Sequence, residues 1–115
     1  MRRIVMCLLV FSFFTVAHAH IRIIQYEPTA NAILSAPPGE VVITFSGSVE
    51  PYFSKIEVFN ENNTKISRQT EFLENDTIMK VKLPVNLGPG NYMVKWICIG
   101  LDGHRKSGNY AFEVR

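Results

Sequence analysis

The sequence predicts an all-β chain: a seven-stranded antiparallel, immunoglobulin-like Greek-key β-sandwich or barrel, preceded by a cleaved signal peptide. Three observations carry that expectation. Short runs of alternating apolar and polar residues recur along the chain, as half-buried strands require. Clusters of Gly, Pro and Asn punctuate them at close spacing. No stretch after residue 20 shows the 3.6-residue apolar period of a core-packed helix.

The leader comes first. Arg2 and Arg3 form a positive start, Ile4 to Phe14 is apolar, and Thr15 to Ala19 ends the segment. Ala17-His18-Ala19 has the small-x-small pattern that a signal peptidase cuts after. The apolar run is shorter than the roughly 20 residues a membrane-spanning helix wants. Residues 1–19 therefore read as a signal peptide and 20–115 as one domain. Export is expected, to the periplasm in a Gram-negative cell. Cys7 leaves with the leader, so the remaining Cys98 has no disulfide partner and the domain must rest on its core.

The strands follow in order. Ile21 to Tyr26 is β-branched and starts directly after His20. Ala32 to Ala36 is short and open between a helical turn and an extended segment. Val41, Ile43 and Phe45 share one face at period two, as do Ile56 and Val58. Lys65 to Phe72 is a weaker strand. Met79, Val81 and Leu83 point inward, with Lys80 and Lys82 outward. Gly88-Pro89-Gly90 turns the chain into the longest strand, where Tyr92, Val94, Trp96 and Cys98 share a face. Gly100 to Lys106 reads as a loop, and Asn109 to Arg115 closes the fold with Tyr110, Phe112 and Val114 inward. Cys98 is expected to be a buried, inert thiol.

Charge excludes one class of partner. The whole chain has 12 basic and 10 acidic residues; without Arg2 and Arg3 it has 10 of each. No basic field remains for nucleic acid or an anionic membrane. A monomer is expected.

The chemistry concentrates at the new N-terminus. Cleavage after Ala19 leaves His20 with a free α-amino group beside its imidazole, and the two can close a chelate ring on one metal ion. The other histidine of the domain is His104, two residues after Asp102 across Gly103. In a sandwich, the start of the first strand and the loop between the last two strands can share one end. Three nitrogens and one carboxylate oxygen suit Cu(II) in a tetragonal plane, and Zn(II) also accepts them in a more tetrahedral arrangement. Arg105 and Lys106 read as a solvated turn or a partner contact.

These residues and their surroundings resemble the CopC family of exported copper-handling domains. The resemblance runs over nearly all of 20–115. It rests on His20 after the leader, Pro28, Phe45-Ser46, Tyr52-Phe53-Ser54, the run Leu87-Gly88-Pro89-Gly90-Asn91-Tyr92-Met93-Val94-Lys95-Trp96, Asp102-Gly103-His104, Ser107-Gly108 and Phe112. It implies a seven-stranded barrel or sandwich and a Cu(II) site made by His20, through amine and imidazole, with Asp102 and His104. It also implies a non-enzymatic role in copper homeostasis or resistance, and a CopD-like inner-membrane copper transporter as partner.

Two departures stand out. Where many members have a Glu after the Phe-Ser pair, this chain has Gly47, with Glu50 three residues on. Some members carry a Met-rich loop for Cu(I); here Asn60 to Met79 holds only Met79, on a core face. A Cu(II)-only protein is the expectation. Two other readings compete. A terminal histidine plus a second histidine is also the histidine brace of lytic polysaccharide monooxygenases, although the sequence marks no exposed aromatic platform. An immunoglobulin-like structural domain without metal is the third.

Overall fold

The computed structural model describes residues 10–12 and 20–115. The leader reading, including cleavage after Ala19, thus falls outside the described residues except at 10–12. Among the described residues no helix is long and apolar enough to cross a membrane.

Among the described residues, eight strands form two four-stranded sheets. They are β1 (Ile23–Glu27), β2 (Ile33–Leu34), β3 (Glu40–Phe45), β4 (Lys55–Phe59), β5 (Glu71–Leu73), β6 (Ile78–Lys82), β7 (Gly90–Ile99) and β8 (Arg105–Val114). One sheet has the order β1-β3-β6-β5 and the other β2-β8-β7-β4. β3 lies against β6 while the intervening β4 crosses to the opposite sheet, a Greek-key connection. All pairings are antiparallel except the two-residue pairing of β2 with β8.

The period-two faces make the core. Val41, Ile43, Phe45, Ile56, Val58, Met79, Val81, Leu83, Tyr92, Val94, Trp96, Cys98, Tyr110, Phe112 and Val114 are all buried. Each large side chain so placed contributes about 1.5–3 kcal/mol relative to exposure. That is how a domain whose Cys98 is free holds together. β7 pairs on both sides, with β4 and β8.

The differences from the sequence reading have physical causes. Within Ala32 to Ala36 the open choice resolves as extended at Ile33–Leu34, which adds to the edge of β8. The weak strand over 65–72 is mostly not a ladder. Ser67 and Thr70 place hydroxyl oxygens where a neighbouring strand would place carbonyls: Val58 N donates to Ser67 Oγ at 3.0 Å and Ile56 N to Thr70 Oγ1 at 3.0 Å. Side chains thereby take part of the β4 edge, beside an isolated bridge of Lys65 with Phe59 and the Ile66 N–H on Val58 O at 2.8 Å, and a named strand forms only from Glu71. Val49, read as loop, is fully buried and bridges Gly100. β1 begins at Ile23, not Ile21, with an irregular register between Ile23 and Gln25. β8 begins at Arg105, not Asn109, because the β7–β8 ladder runs unbroken to Ile99↔Arg105. Only residues 100–104 remain to turn the hairpin.

Candidate metal centre

The short hairpin loop is built around Asp102. Its Oδ1 accepts the backbone N–H of His104 at 3.0 Å, a local turn that an Asp two residues upstream makes readily. Gly103 N donates to Gly100 O at 2.9 Å, and Gly100 N to His104 O at 3.0 Å. Gly103 sits at φ +82, in the left-handed region that glycine takes without cost. The loop therefore delivers Asp102 and His104 to one side. Asp102 Oδ2 lies 2.9 Å from His104 Nδ1.

His20 arrives from the other chain end. It precedes β1, and the two residues after it are fixed. Ser46 Oγ accepts Arg22 N at 2.9 Å, and Ser46 N donates to Arg22 O at 2.8 Å. Ile21 packs against the core, over Gly100 and Gly47. The His20 imidazole then stands over the hairpin loop, with ring centroids of His20 and His104 5.0 Å apart. His20 Nδ1 is 3.8 Å from Asp102 Oδ2. One ligand atom from each of His20, Asp102 and His104 fits within 4.8 Å of the others. The three expected residues are thus brought together by the fold. Glu50 is not part of this cluster.

Electrostatics favours a cation. The His104 backbone N–H, then its imidazole, hold the Asp102 carboxyl below the ordinary carboxylate range, against a smaller desolvation effect. It is an anionic donor throughout the neutral range. The imidazoles are about two-thirds exposed (67% and 69%), whereas the Asp102 side chain is 18% exposed. The donors therefore line an accessible cavity of about 380 Å³, with Ile21, Cys98, Gly100, Arg105 and Lys106 around them. Cys98 forms part of that lining but is only 1% exposed. Burial pushes its thiol pKa up, which keeps it protonated and inert, as expected.

Two residues of the site were not readable from the sequence as functional. Gly100 is one. A Cβ there would stand 2.8 Å from Ile21 Cδ1 and 2.9 Å from Asp102 Oδ1. Both contacts are with the ends of side chains, so the backbone can stay while the donors move. Gly100→Ala is expected to leave the fold intact and to weaken metal binding about tenfold, the scale of a disturbed outer shell; Cu(II) competition titration beside a thermal melt reads both. Its position at the end of an alternating strand was the available signal. Lys106 is the other. It is not a purely solvated turn residue: its Nζ donates to Ile21 O at 2.7 Å.

Two aromatic side chains are exposed at the turn Pro51–Phe53, Tyr52 at 90% and Phe53 at 57%. Their rings meet edge to face, at 5.2 Å and 80°, and so do not form one flat stacking surface.

Comparison with known proteins agrees with this architecture. A family model described as the CopC domain matches residues 23–115. The chain is 34% identical over 98 residues to "Copper transport protein CutJ" of Bacillus subtilis (strain 168), covering 84% of this chain but only 18% of that protein. It is 34% identical over 103 residues to "Protein YobA" of Escherichia coli (strain K12), covering 86% of this chain and 80% of YobA. Among solved structures, CopC from Methylosinus trichosporium OB3b superposes with a TM-score of 0.75 at 27% identity, covering 83% of this chain and 93% of that one. PcoC, described as a methionine rich copper resistance protein from Escherichia coli, superposes at 0.72 with 22% identity over 84% of this chain and 100% of that one, a likeness of fold. The chain belongs to the CopC family.

Proposed function

We propose that this chain is an exported Cu(II)-binding protein that scavenges, buffers or delivers copper in the periplasm. Copper is its cargo, held by the terminal amine and imidazole of His20 with Asp102 and His104. It acts as a monomer and hands copper to a CopD-like inner-membrane transporter.

One observation carries the reading: the fold brings one ligand atom each of His20, Asp102 and His104 within 4.8 Å of one another. The choice of ion rests on the donor set. Two imidazole nitrogens, the α-amino nitrogen of His20 and one carboxylate oxygen suit Cu(II) in a tetragonal plane. Metal binding at His104 Nδ1 displaces the proton that the ring otherwise shares with Asp102.

Soft donors for Cu(I) are scarce. Met79 is fully buried, and Cys98, although part of the cavity lining, is 1% exposed with a thiol that burial keeps protonated. This supports a Cu(II)-only role. Asp102 supplies an anion where an oxygen-activating centre would need an open position, which favours a carrier over the histidine-brace reading.

The test is the pH dependence of affinity. A free α-amino group ordinarily titrates at about 7.7–8.0 and must lose its proton to bind. Affinity is therefore expected to fall roughly tenfold per pH unit below about 7.5, and more steeply once protons also compete for the imidazoles. Asp102 adds nothing to this slope, because its lowered pKa keeps it ionised. Competition titrations at several pH values check it; an affinity constant between pH 8 and pH 6 contradicts amine coordination.

A further inference from the structure

We infer that Lys106 is a positioning residue that fixes His20 at the metal site, an inference that rests on His20 being a ligand. The first rung of the β1–β3 ladder is Ile23↔Phe45, and the Arg22–Ser46 hydrogen bonds extend it by one residue. Ile21 lies beyond the last of these. Its carbonyl is instead taken by the Lys106 ammonium at 2.7 Å, from a residue 85 positions away. That carbonyl belongs to the residue immediately after His20, so it sets where the His20 backbone nitrogen and side chain can reach.

The location of Lys106 explains how one side chain can do this. It is the partner of Cys98 in the β7–β8 ladder and shares a face with Gly108, Tyr110 and Phe112, the inward face of β8. At this end the sandwich opens into the metal cavity, so the position would suit an apolar residue only in part. A lysine lays its stem along the wall and carries its ammonium out to a polar partner. Ile21 is then held twice, by its side chain over Gly100 and Gly47 and by its carbonyl on Lys106. A chain end held this way spends less conformational freedom when the ion binds.

The charge of Lys106 works the other way. A fixed ammonium lining a cation site repels the cation, so removing charge alone would tighten binding. The two roles therefore differ in sign. Residues 20–115 contain all eight strands, so the processed protein is the one to use. Lys106→Met keeps the stem and removes both donor and charge; Lys106→Arg keeps both. In metal-free protein, the nitrogen-15 order parameter of the Ile21 amide is expected to fall from about 0.85 to below about 0.6 in Lys106→Met and to recover in Lys106→Arg. Cu(II) affinity is expected to drop about tenfold in Lys106→Met alone, with the melting temperature unchanged. An unchanged order parameter, or a Lys106→Met protein that binds Cu(II) as tightly as the parent or tighter, overturns the inference. If the parent itself binds no Cu(II), the proposed function fails instead, and the metal-free order parameters alone decide whether Lys106 holds the chain end.

Discussion

Acetylating the α-amino group of His20 in the processed protein is expected to weaken Cu(II) binding by at least about 100-fold, about 2.7 kcal/mol. The acetyl group changes no side chain of the site. It converts the His20 nitrogen from an amine into an amide and adds no new amine. Without an adjacent amine to anchor the ion, a neutral amide is a poor donor at neutral pH, so the chelate formed by amine and imidazole opens. Asp102 and His104 remain, and a weakened site with their two donors and the His20 imidazole persists. The same reasoning applies to the uncut chain, in which Ala19 precedes His20. Competition titration of the two processed forms, side by side, measures the difference; equal affinities would mean the amine takes no part. An untouched melting temperature is expected, since Ile21 and Arg22 keep their contacts with Gly100, Ser46 and Lys106.

His104→Ala should cost a similar amount, on the order of 100-fold, for a different reason. It removes one nitrogen donor and the imidazole that faces Asp102 at 2.9 Å. The backbone N–H at position 104 stays, and it is the larger cause of the lowered Asp102 pKa. The carboxylate therefore stays anionic and the hairpin turn keeps its hydrogen bond to Oδ1. Because the His104 side chain is 69% exposed, stability should change by no more than about 0.5 kcal/mol. Affinity and stability then separate cleanly: a titration that loses copper with a melt that does not move. Parent-like affinity would remove His104 from the ligand set.

The sandwich was legible because its core strands alternate strictly. β3, β6, β7 and the second half of β8 each place apolar residues at every second position, and the fold buries those residues. Where hydroxyls replaced backbone partners, as at Ser67 and Thr70 beside β4, alternation misled, because propensity does not say which oxygen a strand edge will use. The start of β8 was hidden for a related reason. Arg105, Lys106 and Ser107 are polar and exposed, yet their backbone pairs with Cys98 and its neighbours as regularly as the apolar half. The cluster of His20, Asp102 and His104 could be anticipated from chain position and residue chemistry alone. The residues that hold them could not. Gly100, Ser46 and Lys106 act through contacts between segments far apart in the chain, and a single sequence carries no periodicity for such contacts.

The most direct test is the electron paramagnetic resonance spectrum of the processed protein with one equivalent of Cu(II). Axial parameters with hyperfine structure from three nitrogens, reduced to fewer when the His20 amine is acetylated, are the expected result. A spectrum that acetylation leaves unchanged would contradict a copper site built on the His20 terminus.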